Sequence, residues 1–242
     1  MTTPLIQLKN ITLAYGQKIV FENLNLSVSK GSWTVILGAS GAGKSSLLRL
    51  LVGLTNPSQV ISGFISPISS QIAYMAQTDL LLPWLTVLNN VLLAQTLSDS
   101  QKIQREAARS LLAEVSLDMV ADCYPHELSG GMRQRVALAR TLLSDKPIIL
   151  MDEPFSAVDT ITRYHLQNLS LSLLNNKTAI FITHDPHEAL RLADDIYLMQ
   201  GKPAKLKHVL HLDTPKPRQI NNADMLDLQS TLFQAMTEGE SC

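Results

Sequence analysis

Residues 34–48 read Thr-Val-Ile-Leu-Gly-Ala-Ser-Gly-Ala-Gly-Lys-Ser-Ser-Leu-Leu. A short apolar run ends at a glycine, a glycine-rich loop follows, and leucines at helical spacing come next. Within this stretch Gly38-Ala39-Ser40-Gly41-Ala42-Gly43-Lys44-Ser45 fits G-x-x-x-x-G-K-[ST]. Glycines let a backbone wrap round a phosphate chain with its N–H groups turned inward. The helix that starts there adds its positive end. Lys44 then reaches the terminal phosphates, Ser45 supplies a hydroxyl for Mg²⁺, and Ser46 completes the set of nucleotide-binding residues. Alone, the loop fits kinases, GTPases and motors equally well.

Two further stretches narrow the reading. Ile148-Ile149-Leu150-Met151-Asp152-Glu153 is a pure apolar strand that ends in two carboxylates. Asp152 at the strand tip suits Mg²⁺, held through water, and Glu153 suits the polarisation of an attacking water. Leu128-Ser129-Gly130-Gly131-Met132-Arg133-Gln134-Arg135 opens a helix near Met132 with free backbone N–H groups, a second anion-binding start. One chain does not easily bring two phosphate cradles onto one nucleotide. The simplest resolution is a dimer in which Ser129, Gly130 and Gly131 cover the nucleotide held by the other copy.

With these three elements in this order, over about residues 5–212, the chain resembles the ATPase subunits of ABC transporters. The resemblance implies ATP and Mg²⁺ as ligands and ATP hydrolysis as the activity. It makes Tyr15 the aromatic that stacks on adenine and Gln77 the glutamine that senses Mg²⁺ and the attacking water. It makes Ser156-Ala157-Val158-Asp159 the loop that crosses the dimer interface, with Asp159 close to nucleotide. His184, in Phe181-Ile182-Thr183-His184-Asp185, becomes the switch histidine that contacts the γ-phosphate. Catalysis would rest on Glu153, His184, Gln77 and Lys44, and the metal on Ser45, Gln77 and Asp152. Met132 stands where many members have glutamine, and Val158 where leucine is usual. Neither removes a phosphate contact.

Leu81-Leu82-Pro83-Trp84-Leu85-Thr86-Val87, the Gly-Gly-Met-Arg-Gln-Arg run and Met151-Asp152-Glu153-Pro154-Phe155-Ser156 look like the branch that energises uptake of nitrate, sulfonates, taurine and thiamine-precursor pyrimidines. That resemblance implies a second copy of the chain and an integral membrane permease as partners, with a solute-binding protein reached indirectly. The permease would seat near residues 77–84, where a Leu-Pro-Trp cluster is suspect on a soluble surface; packing of a helical segment on the sheet is the competing reading of Trp84. The place implied is the cytoplasmic face of the inner membrane, peripherally. An exporter ATPase, or an ABC ATPase working on DNA or ribosomes, is the alternative; the latter usually carries a long coiled coil or tandem cassettes.

Outward from the loop, short apolar strands alternate with helices: residues 148–151, 178–182 and 196–199 as strands, 161–174 and 186–192 as helices. That alternation implies a parallel sheet covered on both faces. Residues 6–8, 11–13 and 19–28 alternate as exposed-face strands. The fold expected is α/β: a P-loop NTPase core with a mostly parallel sheet, an N-terminal antiparallel β subdomain and a helical subdomain inserted over about residues 86–140. The ATPase domain is expected to span 1–212, followed by a linker and a C-terminal helix over 213–242. The helix after the phosphate loop is expected to run through Leu54, and a helix is expected over 133–143. His208 and His211 lack the partners of a metal site. Arg133, Arg135 and Arg140 form either a phosphate-facing row or a salt-bridged face.

Composition sets the outer limits. The chain has 242 residues with 20 Lys and Arg against 21 Asp and Glu, a net charge of −1 that argues against a nucleic-acid partner. Two cysteines, Cys123 and Cys242, lie far apart and outside any metal-like pair, as expected of a reduced cytosolic chain. No apolar run is long enough to span a bilayer, since Pro83, Thr86, Asn89, Asn90 and Gln95 interrupt residues 80–97. Any membrane crossing belongs to another chain.

Overall fold

The apolar runs around the phosphate loop become adjacent strands of one sheet. In a computed structural model describing residues 4–56, 60–65, 71–96, 105–219 and 223–238, β3 (Trp33–Leu37) lies between β7 (Thr178–Ile182) and β8 (Asp195–Gln200), parallel to both. β6 (Ile148–Asp152) pairs with β7, and β5 (Ile72–Met75) with β6, again in parallel. β9 (Lys205–His211) closes the far edge antiparallel to β8, giving the order β5-β6-β7-β3-β8-β9. Every residue of β3, β6 and β7 is buried.

Period-two alternation sends these side chains into two separate cores. Ile36, Ile148, Leu150, Ile180 and Ile182 face a cluster that includes α1 (Lys44–Leu51) and the N-terminal strands. Val35, Leu37, Ile149, Met151 and Phe181 face the other cluster, built from α2 (Val87–Thr96), α3 (Arg105–Glu114) and α4 (Gly130–Leu142). α5 (Thr160–Leu173), α6 (Pro186–Leu192) and α7 (Ala223–Glu238) contribute Leu166, Leu190 and Leu232 to that second layer. The C-terminal helix thus packs onto the same core. Among the described residues no helix is long and apolar enough to cross a membrane.

The N-terminal strands form a separate antiparallel sheet, β2-β1-β4, from β1 (Ile6–Tyr15), β2 (Lys18–Val28) and β4 (Val60–Ile65). Residues 6–8 and 11–13 are one strand rather than two. Asn10 takes φ 51° and Asn23 does likewise, so that register shifts absorb the extra residues. Asn25 Oδ1 accepts from the Asn10 N–H at 3.0 Å, which satisfies the bulged backbone. The β1–β2 hairpin ends at the Tyr15–Lys18 pair.

Two helix boundaries differ from the periodicity. α1 stops at Leu51 and leaves Leu54 exposed, because the Leu54 N–H turns back to the Arg49 carbonyl at 2.9 Å. α4 starts at Gly130 rather than Arg133, since Ser129 Oγ caps it by accepting from the Met132 N–H at 3.3 Å. The helical subdomain expected over about residues 86–140 contains α2, α3 and most of α4; residues 97–104 lie outside the described residues, as do Cys242 and the rest of 239–242.

A buried asparagine fixes the segment after β5. Asn90 is fully buried on α2; its Oδ1 accepts from the Leu82 N–H at 2.8 Å and its Nδ2 donates to the Leu82, Leu85 and Thr86 carbonyls at 3.0–3.1 Å. Replacing it leaves several partly buried backbone groups of residues 82–86 without their partner, each worth about 1–3 kcal/mol where water does not reach it. Asn90→Ala is expected to lower unfolding free energy by about 2–3 kcal/mol, read from the denaturant midpoint; an unchanged midpoint would show that water replaces the amide.

Candidate nucleotide site

The C-terminal ends of β3 and β6 come together beneath the hairpin that carries Tyr15. A cavity of about 780 Å³ opens there, lined by residues 40–46, Tyr15, Gln77, Asp152 and Glu153. Crevices outside the carboxyl ends of parallel strands are where such sheets bind ligands. The volume suits a nucleotide-sized ligand.

The loop owes its path to one close approach. Gly38 adopts φ 154°, and a Cβ there would sit 2.4 Å from the Met199 carbonyl oxygen, so no other residue lets β3 leave the sheet beside β8. Gly38 and Ala39 do not line the main cavity. They line a second one of about 310 Å³ on the other side of the loop, together with His184 and, from α7, Met236. The loop is therefore accessible from both sides, with Lys44 facing one and His184 the other.

Charge in the site is arranged around Lys44. Its Nζ donates to the Gly38 carbonyl at 2.6 Å and to that of Ala39 at 2.8 Å, which are carbonyls of the loop itself. Burial pushes its ammonium below the ordinary lysine range, while the Glu153 and Asp152 carboxylates pull it back up. Asp152 is 2% exposed. Burial raises its carboxyl above the usual range; a Ser45 hydrogen bond opposes that rise, and Glu153 adds to it. The Lys44 and Arg49 charges also oppose that rise without overcoming burial. A buried carboxylate with a serine hydroxyl beside it and Gln77 on the same cavity wall is an oxygen donor set that fits a divalent cation.

Glu153 carries backbone strain. It has φ 51°, in a region that costs a non-glycine residue about 1–2 kcal/mol. The turn is held by the Glu153 N–H donating to Ile182 O at 3.0 Å and by the Ser156 N–H donating to Glu153 O at 3.3 Å. Its carboxylate lies 3.6 Å from His184 Nδ1, so a strand tip of β6 and the segment after β7 converge on one point. Strain of this kind is tolerated where surrounding structure over-determines it, most often at functional sites.

Ser129, Gly130, Gly131 and Asp159 are not among the residues lining either cavity. Ser129 and Asp159 are exposed N-caps of α4 and α5, and Asp159 Oδ1 accepts from the Thr162 N–H at 3.1 Å. Gly131 has a structural reason of its own: a Cβ would lie 2.8 Å from the Ala157 carbonyl oxygen, so α4 rests directly on the 156–159 loop. The arginine row does not face the phosphate loop. Arg133 pairs with Asp79 at 3.0 Å, Arg140 donates to the Asp79 and Leu80 carbonyls, and Arg135 to that of Val115. His208 and His211 both bond Asp195, at 2.9 and 2.8 Å, and among the described residues no three or more His, Cys, Asp or Glu side chains gather as a metal site would need.

Two residues beside the site have no role assigned by the sequence: Gln134, which enters only as part of the Gly-Gly-Met-Arg-Gln-Arg run, and Glu188. Gln134 is buried on α4, and nothing in a helical pattern separates it from an exposed glutamine. Glu188 is buried beneath Thr183, whose hydroxyl donates to it at 2.6 Å, and burial raises its carboxyl above the usual range.

Comparison with known proteins agrees with this geometry. The family described as ABC transporter matches residues 21–156. An uncharacterized ABC transporter ATP-binding protein of Haemophilus influenzae is 37% identical over 96% of this chain and 98% of its own. The aliphatic sulfonates import ATP-binding protein SsuB of Bacillus cereus is 38% identical over 93% of this chain and 91% of its own. A Pseudomonas syringae protein named SsuB 1 is 39% identical, covering 93% and 92%. Among solved structures, the dimeric post-hydrolysis cassette MJ0796 bound to ADP and Pi superposes with TM-score 0.74 at 29% identity, covering 86% of this chain and 100% of that one.

The elevated Asp152 carboxyl sets a pH dependence. A carboxylate whose folded-state proton affinity is raised stabilises the fold at low pH, and that contribution is lost as pH rises through the folded-state value. Asp152→Asn removes the buried charge. In nucleotide-free protein it is expected to raise stability by about 1 kcal/mol at neutral pH and by progressively less as pH falls through the carboxylate range. Urea midpoints across pH check this; a gain that does not vary with pH would remove desolvation of Asp152 as its cause.

Proposed function

The chain belongs to the ABC transporter ATPase family, and we propose that it acts as a homodimer, clamping two ATP molecules, to drive uptake of a small organic anion of the sulfonate type through a membrane permease. The observation that carries the assembly is the split in the phosphate-handling parts. Lys44, Ser45, Asp152 and Glu153 surround one cavity, while the capped start of α4 and Asp159 lie outside it. A second copy supplies what the cavity lacks. The cargo rests on relatives named as sulfonate importers.

In this reading Tyr15 stacks on the adenine, and the backbone N–H groups of the 38–46 loop embrace the phosphates. Ser45, Asp152 and Gln77 would hold Mg²⁺, which when bound neutralises phosphate charge. Lys44 leaves the Gly38 and Ala39 carbonyls for the phosphate oxygens, an exchange of neutral acceptors for charged ones. Glu153, fixed by its turn, orients and deprotonates the water that attacks the γ-phosphorus in line. His184, next to Glu153, donates to the developing charge. Asp159 and the Ser129–Gly131 element arrive from the partner copy.

The docking face is the segment after Gln77. Trp84 is 69% exposed and Leu80 60% exposed, although Asn90 and Arg140 bond the surrounding backbone and Arg133 pairs with the Asp79 carboxylate. A large apolar side chain kept out of the core on a segment so tied by hydrogen bonds is the feature expected of a partner contact. The permease seats there, and the peripheral position at the cytoplasmic face of the membrane follows from that contact.

Glu153→Gln is expected to keep ATP affinity, lose turnover by about 10²–10³-fold and accumulate an ATP-bound dimer on size exclusion. Wild-type phosphate release from this variant would remove Glu153 from its role. Trp84→Ala is expected to leave ATP affinity and folding unchanged and to weaken co-purification with the permease by about tenfold. Equal recovery of the complex would mean that the permease seats elsewhere.

A further inference from the structure

Gln134 touches both halves of the proposed composite site from within one chain. It lies in the second turn of α4 with 7% of its surface exposed. Its Nε2 donates to the Glu153 carbonyl at 2.8 Å and lies 3.4 Å from Ser156 Oγ. Its Oε1 accepts from the Ala157 N–H at 2.9 Å. The amide therefore spans the turn between the residue placed as general base and the loop placed at the dimer interface. The Glu153 carbonyl it grips belongs to the residue with φ 51°. A peptide in that conformation keeps its direction only while its neighbours hold it.

The helix that carries Gln134 has little freedom to move without this turn. Ser129 caps α4 one turn earlier, and Gly131 rests against the Ala157 carbonyl with no room for a Cβ. A shift of the α4 start is thus passed to residues 153–157 through a buried hydrogen-bonded amide and a backbone contact. Buried hydrogen bonds are not readily exchanged for water, so the linkage is stiff.

We propose that Gln134 is a positioning residue that couples the two ATP sites of the dimer: seating of the α4 start on the partner's ATP sets the orientation of Glu153 at the chain's own ATP. This rests on the composite-site reading given above. Hydrolysis at one site then depends on occupancy of the other, without any residue reaching across both.

The chemistry of the amide supplies a specific test. A protonated carboxyl reproduces its pattern, an O–H to donate and a C=O to accept, whereas an ionised carboxylate cannot donate to Glu153 O. Gln134→Leu is expected to keep ATP affinity within about twofold, to lower kcat by about tenfold or more and to bring the Hill coefficient for ATP close to one. In Gln134→Glu, activity relative to wild type should recover as pH falls from about 8 to about 6, since burial raises the carboxyl's proton affinity; Gln134→Leu should show no such recovery. Combined with Glu153→Gln, Gln134→Leu should still give the ATP-bound dimer. Wild-type kcat and Hill coefficient in Gln134→Leu, or a Gln134→Glu ratio that ignores pH, overturns the proposal. Loss of the dimer only in the combined variant also overturns it, because Gln134 would then shape the α4 start rather than position Glu153. If Glu153→Gln alone stays monomeric with ATP bound, the composite site itself fails. Should Gln134→Leu not fold, the pH ratio of Gln134→Glu decides alone.

Discussion

A buried ammonium and a buried carboxylate share the end of one parallel sheet, and most of the molecule is organised around keeping them there. Lys44 satisfies its charge on the Gly38 and Ala39 carbonyls, and Asp152 has the Ser45 hydroxyl as its hydrogen-bond partner. The two also attract each other, yet for both groups burial outweighs that attraction. In the proposed ATP-bound state both would improve: the ammonium would gain charged acceptors and the carboxylate a cation. The site is thus electrostatically incomplete by construction. Two apolar layers, one on each face of β3, β6 and β7, hold it open against collapse.

Much of this was legible in the sequence because it depends on short-range pattern. The loop of residues 38–45, the apolar strand ending at Asp152 and Glu153, and the strand before His184 each join a backbone requirement to adjacent residue types. The structure places them at neighbouring strand ends, as the βα alternation implied. What stayed illegible depends on contacts between distant segments. Gln134 is an ordinary helical residue until Glu153 and Ala157 pack beneath it. The arginine row was ambiguous because its partners, Asp79, Leu80 and Val115, belong to other elements. The strand from Ile6 to Tyr15 looked like two because Asn10 carries a bulge that propensity alone cannot tell from a turn.

The location of the strain follows the same logic. Glu153 ends a buried strand yet must turn its side chain toward the cavity, while the chain reverses within three residues into Ser156. A left-handed residue makes that reversal, and three hydrogen bonds to its carbonyl, from Gln134, the Ser156 N–H and Ser156 Oγ, stabilise it. The cost of an unfavourable φ is about that of one buried hydrogen bond. A turn so balanced is rigid while all its partners are present and becomes soft when one is withdrawn. That property suits a residue whose alignment is to depend on a remote event.

The exposed Trp84 belongs mechanically to α4 rather than to the phosphate loop. The segment preceding it is tied to α4 through the Arg133–Asp79 pair and through Arg140 on the Asp79 and Leu80 carbonyls, and to α2 through Asn90 on Leu82 and Leu85. Helices α2 and α4 share one apolar cluster, so these ties close into a single rigid unit. In the proposed assembly a permease seated on Trp84 would therefore sense where α4 stands. In the proposed dimer the start of α4 is the part that meets the other copy's ATP, so nucleotide closure displaces the docking face as a body. Gln134, on the same helix, would report that displacement to Glu153. The unit that moves the partner would then also be the unit that permits hydrolysis, and turnover without motion would require α4 to bend between Ser129 and Arg140. Its well-packed interior, with Val136, Ala137, Leu138 and Ala139 all buried, opposes such a bend.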